Sequence, residues 1–566
     1  MFFSAVVSYF CSGNNSTSLS LASFYKNMAL LLLSWAAAAV LAGPEGDFPL
    51  NDDWQYAYPA RQLLETGALE MQGYFAPNII LQVYWGYLFC WLAGGFNFLW
   101  LRLSTLALAA VGGWALYAIA RRLEISPLFS LLGAAVLLFN PLYFNLSFSF
   151  MTDVPFLAVV LLALLAFQFY IEKERRAWLV AACLLSVGAY LIRQPGIVLL
   201  PAFGLWRLWD RRGEDSSVTF ALLLTAAAVA VYLGYEQLAK PWLGISGNFV
   251  PVSSLYLESV LAAPLPFAAE LFRKSIKTWI YLGFFGLPLL PFLGERIRQS
   301  GLGQWQINAL LLVANLGLLA LLHQIGKIFP FGGNIMYNFG LGPELLADVY
   351  TLGLSNTPRL PEWLMYALNL ISQLSATALL WVALSGWKRL SPRQHRFFRF
   401  LLLANLLYLP AMSITSFFDR YILLAIASSV LLLLPHIRTP RRLLSALLPL
   451  LLLALFSLLA THDYLAWNRS RHEAFQWLQE QGVTIQQVDA GFEYNGFYNY
   501  HEDRILEEGR SHWWVTDDEW MIAFGPVPGY EKVKGFGFRR WLWGGRKDEI
   551  CVLRTNNQRS NASEAK

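Results

Sequence analysis

Apolar residues run almost unbroken through stretches such as "ALLLLSWAAAAVLAG", "FALLLTAAAVAVYLGY" and "LLSALLPLLLLALFSLLA". A helix lying on a water-soluble core interrupts such runs with polar positions every three or four residues. Runs that are apolar on every side, and long enough for a hydrocarbon layer of about 30 Å, predict membrane-spanning helices. Between them lie short basic loops: "RRLEIS", "EKERRA", "RLWDRRGED", "GERIRQS", "KRLSPRQHR" and "HIRTPRR". Short basic loops mark the cytoplasmic side of a membrane protein. If all are cytoplasmic, an even number of crossings separates each neighbouring pair.

That rule predicts thirteen spans, at about 28–43, 98–120, 127–148, 154–171, 177–192, 196–209, 217–236, 278–293, 307–323, 363–386, 397–415, 421–435 and 443–460. The amino terminus then lies inside and the carboxyl terminus outside. The segment "NIILQVYWGYLFCWLAGG", residues 78–95, breaks the count if it crosses. Parity is kept if it lies in the interface or dips in and returns, which suits its aromatics and its Gly94-Gly95 end. The other reading is a misjudged loop elsewhere.

The two ends differ from this pattern. Residues 1–27 are expected to be an over-extended start or a disordered arm. Their first 25 positions are Ser- and Asn-rich without charge, and lack the basic leader and cleavage site of a secretory signal. Residues 28–461 form the membrane domain. Residues 462–566 read as a small α/β domain outside the membrane, large enough for its own core. "YLAWNRSRHEAFQWLQEQG" has helical spacing and stops at Gly482. "TIQQVDAGFEYNG", "EWMIAFGPVPGY", "YEKVKGFGFRRWLW" and "DEICVLRT" predict short strands. The Trp-rich "HWWVTDDEW" and "RRWLW" either stack on sugar rings or pack on the membrane domain, and the last residues read as disordered.

Composition sharpens the class. Only 14% of the 566 residues are charged and the mean hydropathy is +0.45, against about 25% charged in soluble proteins. The net charge of +5 sits in short loops, the topology signal rather than a stripe for nucleic acid. The 22 Trp, 25 Tyr and 40 Phe fit interfacial belts. Cys11, Cys90, Cys183 and Cys551 show no metal spacing and predict no disulfide framework or zinc site.

In so uncharged a chain, the ionisable residues at span ends stand out. The topology puts Asp52 and Asp53 outside, just after the first span, and Asp153 at the next outer turn. Arg193, Lys274, Lys327 and Arg420 end on the same side. Each alone has a structural reading: Asp153 before Pro155 makes a good helix N-cap, and Arg420 an interfacial anchor. Together at one depth they point to group transfer from a lipid phosphate. Arg and Lys bind the phosphate and stabilise it as it leaves. A carboxylate takes the proton of an acceptor hydroxyl. A second carboxylate orients the acceptor or holds a divalent metal.

The stretch "NDDWQYAYPARQLLETG" resembles the first outer loop of the GT-C glycosyltransferases. It is most like the bacterial relatives of the protein O-mannosyltransferases and of the lipid A aminoarabinose transferase. Their acidic pair has the form D-[DE]-x-x-Y, here Asp52, Asp53 and Tyr56, followed by an amphipathic helix, here "ARQLLETG". "FNPLYFNLSFSFMTDVPFLA" is similar to the family's second acidic turn, and "LIRQPGIVLLPAF" and "FFDRYILLAI" to further recurring segments. The resemblance runs from residue 28 to about 460. It implies an all-α GT-C membrane domain that moves a hexose or pentose from a polyprenyl-phosphate sugar to a glycan, lipid or protein acceptor, with inversion at the anomeric carbon. It implies Asp52 as general base, Asp53 in support, Asp153 and Tyr56 on the acceptor or metal side, and Arg193 and Arg420 at the donor phosphate, where Lys274 and Lys327 are further candidates. The pair is Asp-Asp where Asp-Glu is common, so the division of labour between the two is open. The zinc-binding Glu and His of some relatives have no clear counterpart, which leaves a divalent metal undecided. The implied location is the bacterial inner membrane with the tail domain in the periplasm or outside. The other function classes are a secondary transporter, whose ionisable residues gather near the midplane in repeats not seen here, and a non-catalytic envelope protein.

Overall fold

The computed structural model describes residues 21–69, 71, 78–211, 215–243, 260–299, 305–331, 334–412, 417–438, 443–500, 513–515 and 518–556. The predicted start arm up to residue 20, Cys11 and the end of the tail lie outside the described residues. Helices fall on all thirteen predicted spans, and among the described residues eight helical stretches are long and apolar enough to cross a membrane by length and composition. At the centre is Asp153–Lys173, buried along nearly its whole length. The helices Phe98–Arg122 and Arg176–Tyr190 pack along it.

Its 21 residues span roughly 32 Å at 1.5 Å per residue. Each end meets a different set of charges. At the carboxyl end, Glu172 pairs with Arg122 and stands 3.9 Å from Arg393, which is itself 3.3 Å from Glu124. Arg396 holds both carboxylate oxygens of Asp210, and Arg211 pairs with Glu174 at 2.8 Å. Four of the basic loops thus meet at one end of the bundle, as the parity argument requires. The acids and arginines of the candidate site gather at the other.

The ambiguous segment 78–95 forms the helix Ile80–Leu92, only 13 residues long. The Asn78 side chain donates to the Tyr190 carbonyl, and Ile79 N–H to the Ile192 carbonyl. Just past the other end, Phe98 N–H donates to Asp47 in the first loop. Both ends are therefore tied to residues at the candidate-site end of the bundle.

Four boundaries differ from expectation. The span predicted at 127–148 is broken into Pro127–Leu138 and Pro141–Leu146. Pro141 has no N–H to continue the first helix, and the Asn140 side chain caps the second by accepting from Leu142 and Tyr143. The helix expected from 278 begins at Pro264, so Lys274 lies within a helix rather than a loop. The boundary at 461/462 falls inside one continuous helix, Leu443–Glu480, which carries the chain from the bundle into the tail. The strand expected in "TIQQVDAGFEYNG" shrinks to β3 (Val488–Asp489) because Gly491, at φ 87°, turns the chain into the helix Phe492–Asn499.

A small hairpin, β1 (Met336–Tyr337) and β2 (Gly340–Leu341), lies in the loop after the helix Trp305–Gln324. In the tail, β3, β4 (Trp520–Ala523), β5 (Tyr530–Arg540) and β6 (Arg546–Thr555) form a sheet in the order β3-β4-β6-β5. Its first pair is parallel and the others antiparallel. The sheet packs on the long terminal helix, and Trp54 of the first loop sits among Phe492, Tyr500 and Trp514. These Trp-rich segments are thus largely packed, with Trp541 stacked on His462 and part-exposed.

Candidate active site

The first loop, residues 43–53, is fastened from several sides. Arg102, a fully buried charge near the start of Phe98–Arg122, donates to the carbonyls of Pro44, Gly46, Phe48 and Phe148. Asp53 opens the helix Asp53–Thr66 and is buried. Its Oδ1 accepts from Leu50 N–H at 2.7 Å and its Oδ2 from Phe150 N–H at 3.2 Å. Burial pushes its carboxyl up to about 7, against the pull of these hydrogen bonds and of Arg102. A carboxyl poised near neutrality has the basicity of a general base. Asp53, however, has both oxygens bound to backbone and faces no open space. Geometry makes it a clamp between the loop and the chain at Phe150.

Asp52 points the other way. It occupies the N-cap position of the same helix, yet its side chain caps nothing. It is 24% exposed and lies 3.0 Å from Arg420 Nη1. The Arg420 Nε stands 3.9 Å from Asp153 Oδ2, and Arg193 pairs with Asp153 Oδ1. The four side chains form an alternating row, Asp52, Arg420, Asp153, Arg193, brought from four places in the sequence. Asp153 is the first residue of the central helix, and it is Thr152 that takes the N-cap position, so the expected capping role is not what the side chain does. Asp153 Oδ2 and Arg420 Nε are both buried without a hydrogen-bond partner among the described residues. Tyr56, one turn after Asp52, is buried within electrostatic reach of all four, and burial raises its hydroxyl.

Local structure fixes both cations. Arg193 leaves the helix Arg176–Tyr190 into a 3-10 turn, Gln194–Val198, that folds back tightly. A Cβ on Gly196 would strike the backbone at Ala189 and Tyr190, so only glycine permits that turn. Burial opposes the Arg193 charge, Asp153 favours it, and the net shift is upward. Arg420 lies in the turn Asp419–Ile422, and its neighbour Asp419 accepts from Ile335 and Met336 N–H at 3.1 and 2.7 Å. Tyr421 covers Arg193 with its ring 4.6 Å away.

Lys274 and Lys327 do not join this row. Lys274 pairs with Glu270 at 3.5 Å. It borders a small pocket with Thr278, Phe417, Phe418 and Tyr421, so it stands behind the aromatic wall of Arg420. Lys277, which the sequence reading did not select for the site, lies over Phe417 at 5.2 Å, within reach of Lys274, Arg273 and the exposed Lys327. Glu270 pairs with Arg273 at 3.1 Å as well as with Lys274. The same two helices continue into an apolar cavity of about 190 Å³, bordered by Trp279, Leu282, Phe285, Leu379, Ile426 and Leu433.

Sequence reasoning also missed Arg102, Arg471 and Glu493. Arg102 carried a signal, a lone charge in the apolar run "FLWLRLS". Arg471 and Glu493 pair at 2.7 Å with no exposure, and nothing in their spacing announces it. Among the described residues no group of three or more His, Cys, Asp or Glu comes together to hold a metal. Asp153, expected on the metal side, faces two arginines, surroundings that repel a cation rather than bind one. Cys90, Cys183 and Cys551 are free thiols.

Residues 82–235 match the model of a family described as dolichyl-phosphate-mannose-protein mannosyltransferase. Among solved structures, a chain from the S. cerevisiae protein O-mannosyltransferase Pmt1-Pmt2 complex bound to the sugar donor is similar at 18% identity, with a TM-score of 0.33, over 40% of this chain and 33% of that one. The chain thus spans about a third of that relative's length. No curated protein matches the sequence. The matched family segment contains Arg102, Asp153 and Arg193. Over residues 82–235, about a quarter of the chain, this protein is similar to that family of membrane mannosyltransferases, and its many apolar helices make it an integral membrane protein.

Proposed function

We propose that this protein transfers a sugar from a polyprenyl phosphate to an acceptor hydroxyl, at the end of the bundle that holds Asp52. The observation that carries this reading is Arg420, shared at 3.0 Å by the part-exposed Asp52 and at 3.9 Å by the buried Asp153. The basic loops gathered at the opposite end support an extracytoplasmic site, in a bacterium the periplasmic face of the inner membrane.

The donor's charge has two places to go. Lys274, Lys277 and Lys327 gather near one another behind the aromatic wall of Arg420, where they attract the incoming phosphate. The neighbouring apolar cavity suits the first isoprene units, with headgroup and tail aligned along the helices Pro264–Gly286 and Leu423–Leu433. A phosphate that reaches Arg420 competes with Asp52 for it and frees the carboxylate. The acceptor oxygen then bonds to the anomeric carbon as the bond from that carbon to the phosphate oxygen breaks. The electron pair leaves on the phosphate, where Arg420 and Arg193 stabilise it. The acceptor's proton passes to Asp52. Tyr56 borders the same row and orients the acceptor. No step here uses a metal.

The test is transfer by purified protein in liposomes, from a polyprenyl-phosphate sugar to a panel of lipid, glycan and peptide acceptors. Asp52→Asn should lower transfer by about 10²–10⁴-fold while donor binding persists. Transfer at the wild-type rate in that variant would overturn the assignment of the base, and no transfer by the wild type would overturn the activity.

A further inference from the structure

Asp52 is held from the tail domain. Its predecessor Asn51 has φ 55°, a left-handed conformation that a residue other than glycine adopts at a cost. Asn51 N–H donates to Glu493 Oε1 at 3.3 Å. Glu493 Oε2 accepts from Arg471 Nη1 at 2.7 Å, and Arg471 Nη2 donates to the Pro49 carbonyl at 3.3 Å. The pair is fully buried, with Arg471 sandwiched between the rings of Trp467 and Tyr494 at 5.1 and 4.7 Å. Gly491 lets this corner close, since a Cβ there would meet the Leu345 carbonyl. The helix Phe492–Asn499 that carries Glu493 also packs its Gly496 on Trp54, two residues past Asp52. The loop is thus gripped at 49 and 51 by the tail and at 53 by the bundle, with Asp52 the carboxylate left facing Arg420.

We infer that the tail domain is a working part of the transfer site, and that Glu493 and Arg471 are positioning residues that set the angle of Asp52. Burying two charges is expensive, and a well-packed apolar pair would serve the fold as well or better. What an apolar pair cannot do is accept the Asn51 N–H and fix that strained residue. This inference rests on the transfer reading above, and its test separates the two.

Removing one partner alone leaves a buried charge and risks unfolding, so the variants change both. Arg471→Met with Glu493→Leu keeps the volume and deletes the clamp. Arg471→Met with Glu493→Gln keeps an acceptor for Asn51 N–H without the ion pair. In the liposome assay the Met/Leu variant should melt at or above the wild-type temperature, keep the donor KM, and lose about tenfold or more in kcat, as a misplaced catalytic group does. The Met/Gln variant should recover most of that loss. Amide hydrogen exchange gives a readout independent of activity: peptides covering 47–54 should exchange faster in Met/Leu than in Met/Gln, with the helix Asp153–Lys173 unchanged. Equal protection of that loop in all three proteins, or a Met/Leu variant with wild-type kcat, would overturn the inference. Loss of transfer in Asp52→Asn with an intact loop would leave the transfer reading standing on its own.

Discussion

The two ends of the central helix carry charge in opposite styles. At the carboxyl end arginines of the basic loops pair with acids, several of them part-exposed: Arg211 with Glu174, Arg393 with Glu124, Arg396 with Asp210. At the amino end Arg420 is divided between the part-exposed Asp52 and the buried Asp153, which in turn pairs with Arg193. The first end fits an anchor at the headgroups. The second gathers its charges into one alternating row of Asp52, Arg420, Asp153 and Arg193, in which only Asp52 is open to what arrives.

Breaking one arginine at each end tests this contrast most strongly. Arg420→Met should reduce transfer by about 10²-fold or more, the scale of losing one donor to a developing oxyanion. Arg396→Met should leave transfer at the wild-type rate and cost about 1 kcal/mol or less, as part-exposed pairs do. Rates and melting curves of the two variants check it, and equal losses at both ends would erase the distinction. A smaller effect is expected from the lysines behind Arg420. Lys274→Gln with Lys277→Gln should raise the donor KM about tenfold, worth about 1.4 kcal/mol, with kcat little changed. Added salt should mimic it in the wild type and affect the double variant less.

The smallest effect is on pH. Asp53 moves from 3.8 to about 7 on folding, and Asp348, in the short helix Ala347–Tyr350 beside β4, to about 6. Between the unfolded and folded values the folded state holds the extra protons. Stability is therefore greatest at the acid end of that window and declines as pH rises through it. Asp53→Asn should flatten the fall in melting temperature between pH 5 and 8 without abolishing it, since Asp348 keeps its share. A slope identical to wild type would show that Asp53 does not ionise on this scale.

Much of this architecture was legible in the residues. All-round apolar runs admit few structures but spans, and the parity of basic loops singled out the apolar segment 78–95, which forms a helix of only 13 residues. Asp52, Asp153, Arg193 and Arg420 were visible because ionisable residues are rare in this chain. What stayed hidden was set by distant partners. Asp52 and Asp53 are indistinguishable neighbours on paper; one turns to Arg420 and the other to Phe150 N–H because of contacts 368 and 97 residues away. The grip of Glu493 on Asn51 spans 442 residues. The break before Pro141 was readable in principle, since proline with a preceding Asn is a helix start.

The helix Leu443–Glu480 has a mechanical consequence. Its 38 unbroken residues make a rod of about 57 Å, half greasy and half wet, with no swivel at the membrane exit. A tilt of the greasy half in a thinner bilayer swings the wet half, and the loop it grips, like the long arm of a lever. One alanine inserted near residue 462 would turn everything beyond it by about 100° and uncouple the two halves while leaving each of them whole.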